Sequence, residues 1–172
     1  MNLTKEERRR RVALLCCHFA RNLAYYRLTQ DRLAVDRGFR TTIVNNFIDM
    51  AVLEWCKLFG DRNGRHYWEK VVTCQDFKAD IYETLNQKSD CFASYIDKMR
   101  KYRDKFVAHL DDDLIMNIPE MNQAKITTEC LYNHLMTYEA LPGDMDGLPF
   151  DLENYFQQCF DEAWSSLDRY KL

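Results

Sequence analysis

The chain has 172 residues, 47% hydrophobic and 13% aromatic, which fits one folded domain with a sizeable core and excludes a disordered composition. Five glycines and three prolines are too few for a strand-and-turn architecture and point to helices. A formal net charge of -3 supplies no global basic field for nucleic acid, so any such contact must rest on a local patch.

Thr4 followed by Glu7 reads as a capping box, and it predicts a long helix to about Arg27 with Val12, Leu15, Cys16, Phe19, Leu23 and Tyr26 at three-and-four spacing. The stretch "TQDRLAVDRGFR" reads as a connection. A second helix is expected from Thr41 or Thr42 to Gly60, apolar over a broad arc and therefore central. A short helix over "RHYWEKVV" and another over "CQDFKADIYETLNQ" follow. Ser89 is placed as the cap of a fifth helix running through "CFASYIDKMRKYRDKFVAHL". Pro119 suits the first turn of a helix through "NQAKITTECLYNHLMTYEA", "LPGDMDGLP" is a turn region, and a last helix carries Leu152, Tyr155, Phe156, Cys159, Phe160, Ala163, Trp164 and Leu167 on one face. That aromatic stripe suits a core or a dimer interface better than a base-stacking platform. The expected fold is all-α: a single antiparallel helical bundle over residues 1–172, with additional C-terminal helices at about 119–171.

The N-terminus is charged and lacks a signal-peptide pattern, and no window approaches the roughly 18–20 apolar residues of a membrane span. A cytoplasmic protein is therefore expected, without membrane, cofactor or metal. Its seven cysteines, with no CxxC pair, are expected to be reduced core-fillers. Cys16, Cys17 and His18 are adjacent and point in different directions on a helix, so they make a poor zinc site. Asp111 to Asp113 read as a solvated loop, and His18, His66 and His134 as isolated. The run Arg8, Arg9, Arg10, Arg11 wraps a helix start. It reads either as a solvated face or as a contact to an RNA backbone.

One feature departs from this pattern. In "DKMRKYRDKFVAHLDDD", Phe92, Met99, Phe106 and Leu110 share a stripe, and Arg103 falls inside it. A buried guanidinium without a partner costs several kcal/mol, so it implies a counter-charge or a cavity. Glu54 falls within the apolar arc of the second helix, which predicts a Glu54–Arg103 ion pair, direct or through water. His109 lies six residues beyond Arg103, a rise of about 9 Å, so the long arginine brings both heads within reach of one phosphate. An imidazole can take a proton from a ribose 2′-hydroxyl and return one to the leaving oxygen, while a guanidinium holds the phosphate.

"RDKFVAH" (Arg103, Asp104, His109) resembles the R-x(4–6)-H motif of HEPN domains. "FRTTIVNNFIDMAVLEWCKLFGDRNGRHYWEKVV" together with "YRDKFVAHLDD" resembles their abortive-infection (AbiU-type) branch, over a motif core of about 38–113. The resemblance implies a helical bundle that forms a homodimer with the motif helices meeting in a shared cleft. It also implies a metal-independent endoribonuclease acting as a toxin or phage-defence effector, paired with a nucleotidyltransferase-type antitoxin. On that reading Arg103 and His109 are catalytic, Asp104 is the motif's polar residue, and Glu54 is added from helical phase alone. Other HEPN proteins are non-catalytic, so a helical module that binds nucleotide, RNA or protein is the alternative.

Overall fold

A computed structural model describes residues 3–32, 38–108 and 117–170. Six helices account for most of them: α1 (Lys5–Arg32), α2 (Phe39–Trp55), α3 (Phe77–Thr84), α4 (Ser89–Tyr102), α5 (Asn122–His134) and α6 (Leu152–Tyr170). The described residues contain no strand, so the fold is all-α as expected. None of the described helices is long and apolar enough to cross a membrane.

α1 is the hub, packing against α2, α5 and α6. Its start follows the local chemistry: the Thr4 N–H donates to Glu7 Oε2 (2.9 Å) and the Glu7 N–H to Thr4 Oγ1 (3.1 Å). α1 and α2 run antiparallel, since Tyr25 meets Phe47 while Asn22 meets Glu54. α2 and α4 are likewise antiparallel, with Asp49 opposite Tyr102 and Trp55 against Phe92 and Tyr95. Trp55 is fully buried, stacks on Phe59, and donates its indole N–H to Thr127 Oγ1 on α5 at 3.0 Å. It thereby joins α2, α4 and α5 at one point. Lys125 of α5 pairs with Glu129 and with Glu153 of α6, over the Phe156 ring.

Several helix limits differ from expectation. α1 runs to Arg32 and α2 begins at Phe39, shortening the connection at both sides. "RHYWEKVV" yields only a short 3-10 turn, Trp68–Lys70. Ser89 is the first residue of α4 rather than its cap, and Lys88 precedes the helix without a side-chain hydrogen bond. Pro119 lies before α5, whose exposed N–H groups at Asn122 and Gln123 are taken by the Glu120 carboxylate. The start of α6 is capped by Asp151, which accepts the Asn154 N–H at 2.6 Å. Trp164 lies outside the buried face of α6, with 42% of its surface exposed. Cys16, Cys17, Cys56 and Cys159 fill the core as expected, whereas Cys74 and Cys91 are exposed.

Three helices end in π-helical turns: Cys56–Gly60 after α2, Arg103–Ala108 after α4, and Leu135–Glu139 after α5. Such turns are rare and are commonly found where a side chain must be re-aimed. Gly60 closes the first of them because α4 passes close by: a Cβ there would meet Arg100 Cγ at 3.3 Å. In the third, buried Glu139 accepts the Thr73 N–H (2.5 Å) and the Thr73 hydroxyl, with His134 Nε2 at 3.4 Å. This ties the segment before α3 to the end of α5.

Burial pushes the Glu139 carboxyl upward, but the Thr73 N–H, the Thr73 hydroxyl and His134 outweigh it and hold it below the ordinary glutamate value. A depressed folded-state value means the stabilisation is present above the unfolded value and is lost as pH falls through the folded one. Glu139→Gln is therefore expected to cost about 1–3 kcal/mol at neutral pH. Its melting temperature should also fall less steeply than that of the wild type between about pH 7 and about pH 3. Parallel melting curves for the two proteins across that range would contradict the assignment.

Candidate functional site

The buried face of α4 is set by Phe92, Tyr95, Met99 and Tyr102, at spacings of three, four and three. Tyr102 occupies the stripe position, and its hydroxyl donates to Asp49 Oδ1 at 2.8 Å. Arg103 is thereby displaced to the stripe's edge, where its side chain keeps 16% of its exposure. The side chains of Phe106 and Leu110, predicted to continue the stripe, lie outside the described residues.

Arg103 opens the second π-helical turn, and two carboxylates hold it. Its Nη1 donates to Asp61 Oδ1 at 2.5 Å and its Nε to Asp104 Oδ1 at 2.8 Å. Burial works against the charge, yet the hydrogen bonds to Asp104 and Asp61 more than offset it, so the guanidinium is held even more firmly protonated than usual. Asp61 is the residue at which the first π-helical turn ends, its own N–H donating to Cys56 O at 2.9 Å. The Arg103–Asp61 pair therefore bolts the end of α2 to the end of α4. Nη2 of Arg103 donates to no described residue.

The predicted Glu54–Arg103 pair is corrected by these contacts. Glu54 is buried, as its helical phase required, but it faces α1: Asn22 Nδ2 donates to its Oε2 at 3.0 Å, and His18 Nδ1 lies 3.5 Å from its Oε1. Helical phase gives a residue's direction around its own axis and leaves open which neighbour stands there. His18 and Asn22, four apart on α1, were the available signal for a shared face. Asp61 was missed because it follows a helix end and belongs to no stripe. Asp104 sits beside Arg103 as the motif reading requires. His109 and Asp111 to Asp113 lie outside the described residues.

A groove of about 650 Å³ opens beside the pair, between the turn after α2 and the outer side of α4. Asp61, Arg62, Asn63, Asp97 and Arg100 line it, so Asp61 is shared between the groove and Arg103. Arg62 and Arg100 stand there among the carboxylates of Asp61 and Asp97, with Arg100 Nη1 3.9 Å from Asp97 Oδ1.

The N-terminal arginines divide. Arg9 Nη2 donates to Asp144 Oδ2 at 2.6 Å, and Arg10 donates to the Asp144 and Asp146 carbonyls at 2.9 and 3.0 Å. These two pin the turn before α6 onto α1, and this replaces both the solvated-face and the RNA-contact reading for them. Arg11 is exposed, while the buried Arg8 Nε has no hydrogen-bond partner among the described residues. Arg8 and Arg11 lie near His66, Arg65 and Lys57, a group of positive charges that, after burial, depresses the basicity of His66. Among the described residues no cluster of three histidine, cysteine or carboxylate side chains could hold a metal. No protein-family model, no curated protein and no solved structure matches this chain.

Proposed function

We propose that this chain is a HEPN-like endoribonuclease that cleaves RNA without a metal and serves as a toxin or phage-defence effector. It would work as a homodimer, with a nucleotidyltransferase-type antitoxin as its controlling partner. The observation that carries the reading is Arg103, fixed by Asp61 and Asp104 with Nη2 unpartnered among the described residues, followed at motif spacing by His109. Two donors anchor the guanidinium plane and the third can meet a phosphate oxygen, which is how a clamp is pre-organised. Arg62 and Arg100 would guide the strand through the neighbouring groove. His109 would accept the 2′-hydroxyl proton and protonate the departing 5′-oxygen.

A second reading is favoured by the same pair. Arg103 already has two carboxylate partners, so it can act as a structural bolt in a module that binds RNA or nucleotide without cutting. Expression in growing cells separates the two. The ribonuclease arrests growth, and His109→Ala restores it. A wild-type chain that leaves growth unchanged, or an equally toxic variant, favours the binding module.

A further inference from the structure

We propose that the groove between α1 and residues 147–158 binds a nucleoside phosphate, with the phosphate on Arg21 beside His18 and the base stacked on Phe150. The groove measures about 740 Å³ and is lined by Cys17, His18, Arg21, Phe150 and Tyr155 among others. That volume falls within the range of small-ligand sites. None of Arg103, Asp61 or Asp104 lines it, so this site stands apart from the proposed cleavage site.

His18 lies between a buried carboxylate and the groove. Glu54, only 4% exposed, sits behind the ring at 3.5 Å from Nδ1, and Asn22 fixes its other oxygen. The contact turns Nδ1 toward Glu54 and Nε2 away from it. Nε2 of His18 has no partner among the described residues, and Arg21, on the next turn of α1, donates no hydrogen bond to any of them. Positive charge gathers here: burial lowers the basicity of His18, and Arg21 and then Lys57 lower it further. Lys57 is also close to His66, so the positive field continues toward Arg8, Arg11 and Arg65. The acidic residue of the groove, Asp151, is engaged as the cap of α6.

Phe150 supplies the second half of the site. It stands at the groove with 91% of its surface exposed, an apolar ring that packs on little of its own chain. A ring beside a cationic groove suits a planar base attached to a phosphate, since every base offers a face for stacking. A free nucleotide and the terminal nucleotide of a strand present this same chemistry.

The test is isothermal titration of the whole chain with the four nucleoside 5′-monophosphates, the matching nucleosides, inorganic phosphate and a short 5′-phosphorylated 2′-O-methyl oligonucleotide. The last cannot be cut through a 2′-hydroxyl. At least one monophosphate is expected to bind about tenfold or more tightly than its nucleoside or phosphate alone. Phe150→Ala should weaken that binding about tenfold and leave inorganic phosphate unaffected. Arg21→Gln should abolish it with the melting temperature unchanged. Binding of the oligonucleotide alone, sensitive to the same two substitutions, assigns the nucleotide to a strand end. No binding by either ligand, or affinities that ignore both substitutions, would overturn the proposal. Because Phe150 is exposed, its variant folds as the wild type does. Any RNA-cleaving activity should survive in Phe150→Ala, which keeps this test distinct from that of the proposed function.

Discussion

Replacing Trp55 with alanine is expected to destabilise the protein by about 4 kcal/mol and to lower its melting temperature by about 10 °C. The indole is fully buried against Phe59, Tyr95 and Phe92, with ring centroids at 5.2, 5.4 and 6.4 Å. Truncation removes that aromatic area and leaves a cavity where α2, α4 and α5 meet, and these helices cannot close together without moving one another. Thr127 keeps its hydrogen bonds to the Gln123 and Ala124 carbonyls, so the loss is one of packing more than of polar satisfaction. A loss of this size is a large fraction of the roughly 5–15 kcal/mol that stabilises a domain. It also reaches the candidate site, because Trp55 immediately precedes the π-helical turn that presents Asp61. Trp55→Phe should recover more than half of the loss. Chemical denaturation of the three proteins measures both effects, and a cost below about 1 kcal/mol for Trp55→Ala would contradict the packing described.

On the proposed function, His109→Ala lowers kcat/KM for RNA by about 10²–10⁴-fold, the range a positioned general acid–base supplies. A hundredfold loss corresponds to about 2.7 kcal/mol of transition-state stabilisation. The loss should fall on kcat, because an imidazole that only moves protons adds little to ground-state binding. Arg103→Gln should lose a comparable factor and, unlike His109→Ala, should also cost stability, since it leaves Asp61 and Asp104 facing each other without the cation between them. Two variants with equal activity losses and unequal melting temperatures are therefore the signature expected. A His109→Ala protein that retains the wild-type rate would remove the histidine from the mechanism.

The parts of this fold that were legible in the sequence are those decided within one turn of helix. Thr4 and Glu7 satisfy each other across three residues, so their capping box could be read directly. Glu120 and Asp151 cap helices just as locally but carry weaker patterns than a capping box. The burial of Glu54 was legible because its position on α2 is apolar on either side; its partner was not, because the neighbour depends on how α1 lies across α2. Met99 and Phe106 alone centre the stripe on Arg103. Once Tyr95 and Tyr102 are included, the buried face turns and the arginine moves to its edge. The three π-helical turns leave no local signature at all, since each added residue is stabilised by what packs against it.

The most direct measurement is the fate of a mixed-sequence RNA incubated with the purified wild-type chain in excess EDTA, with the fragment ends identified. Attack by a ribose 2′-hydroxyl under His109 and Arg103 predicts fragments bearing 2′,3′-cyclic phosphates and 5′-hydroxyls. RNA that stays intact, or fragments ending in 3′-hydroxyls and 5′-phosphates, would contradict the proposed function.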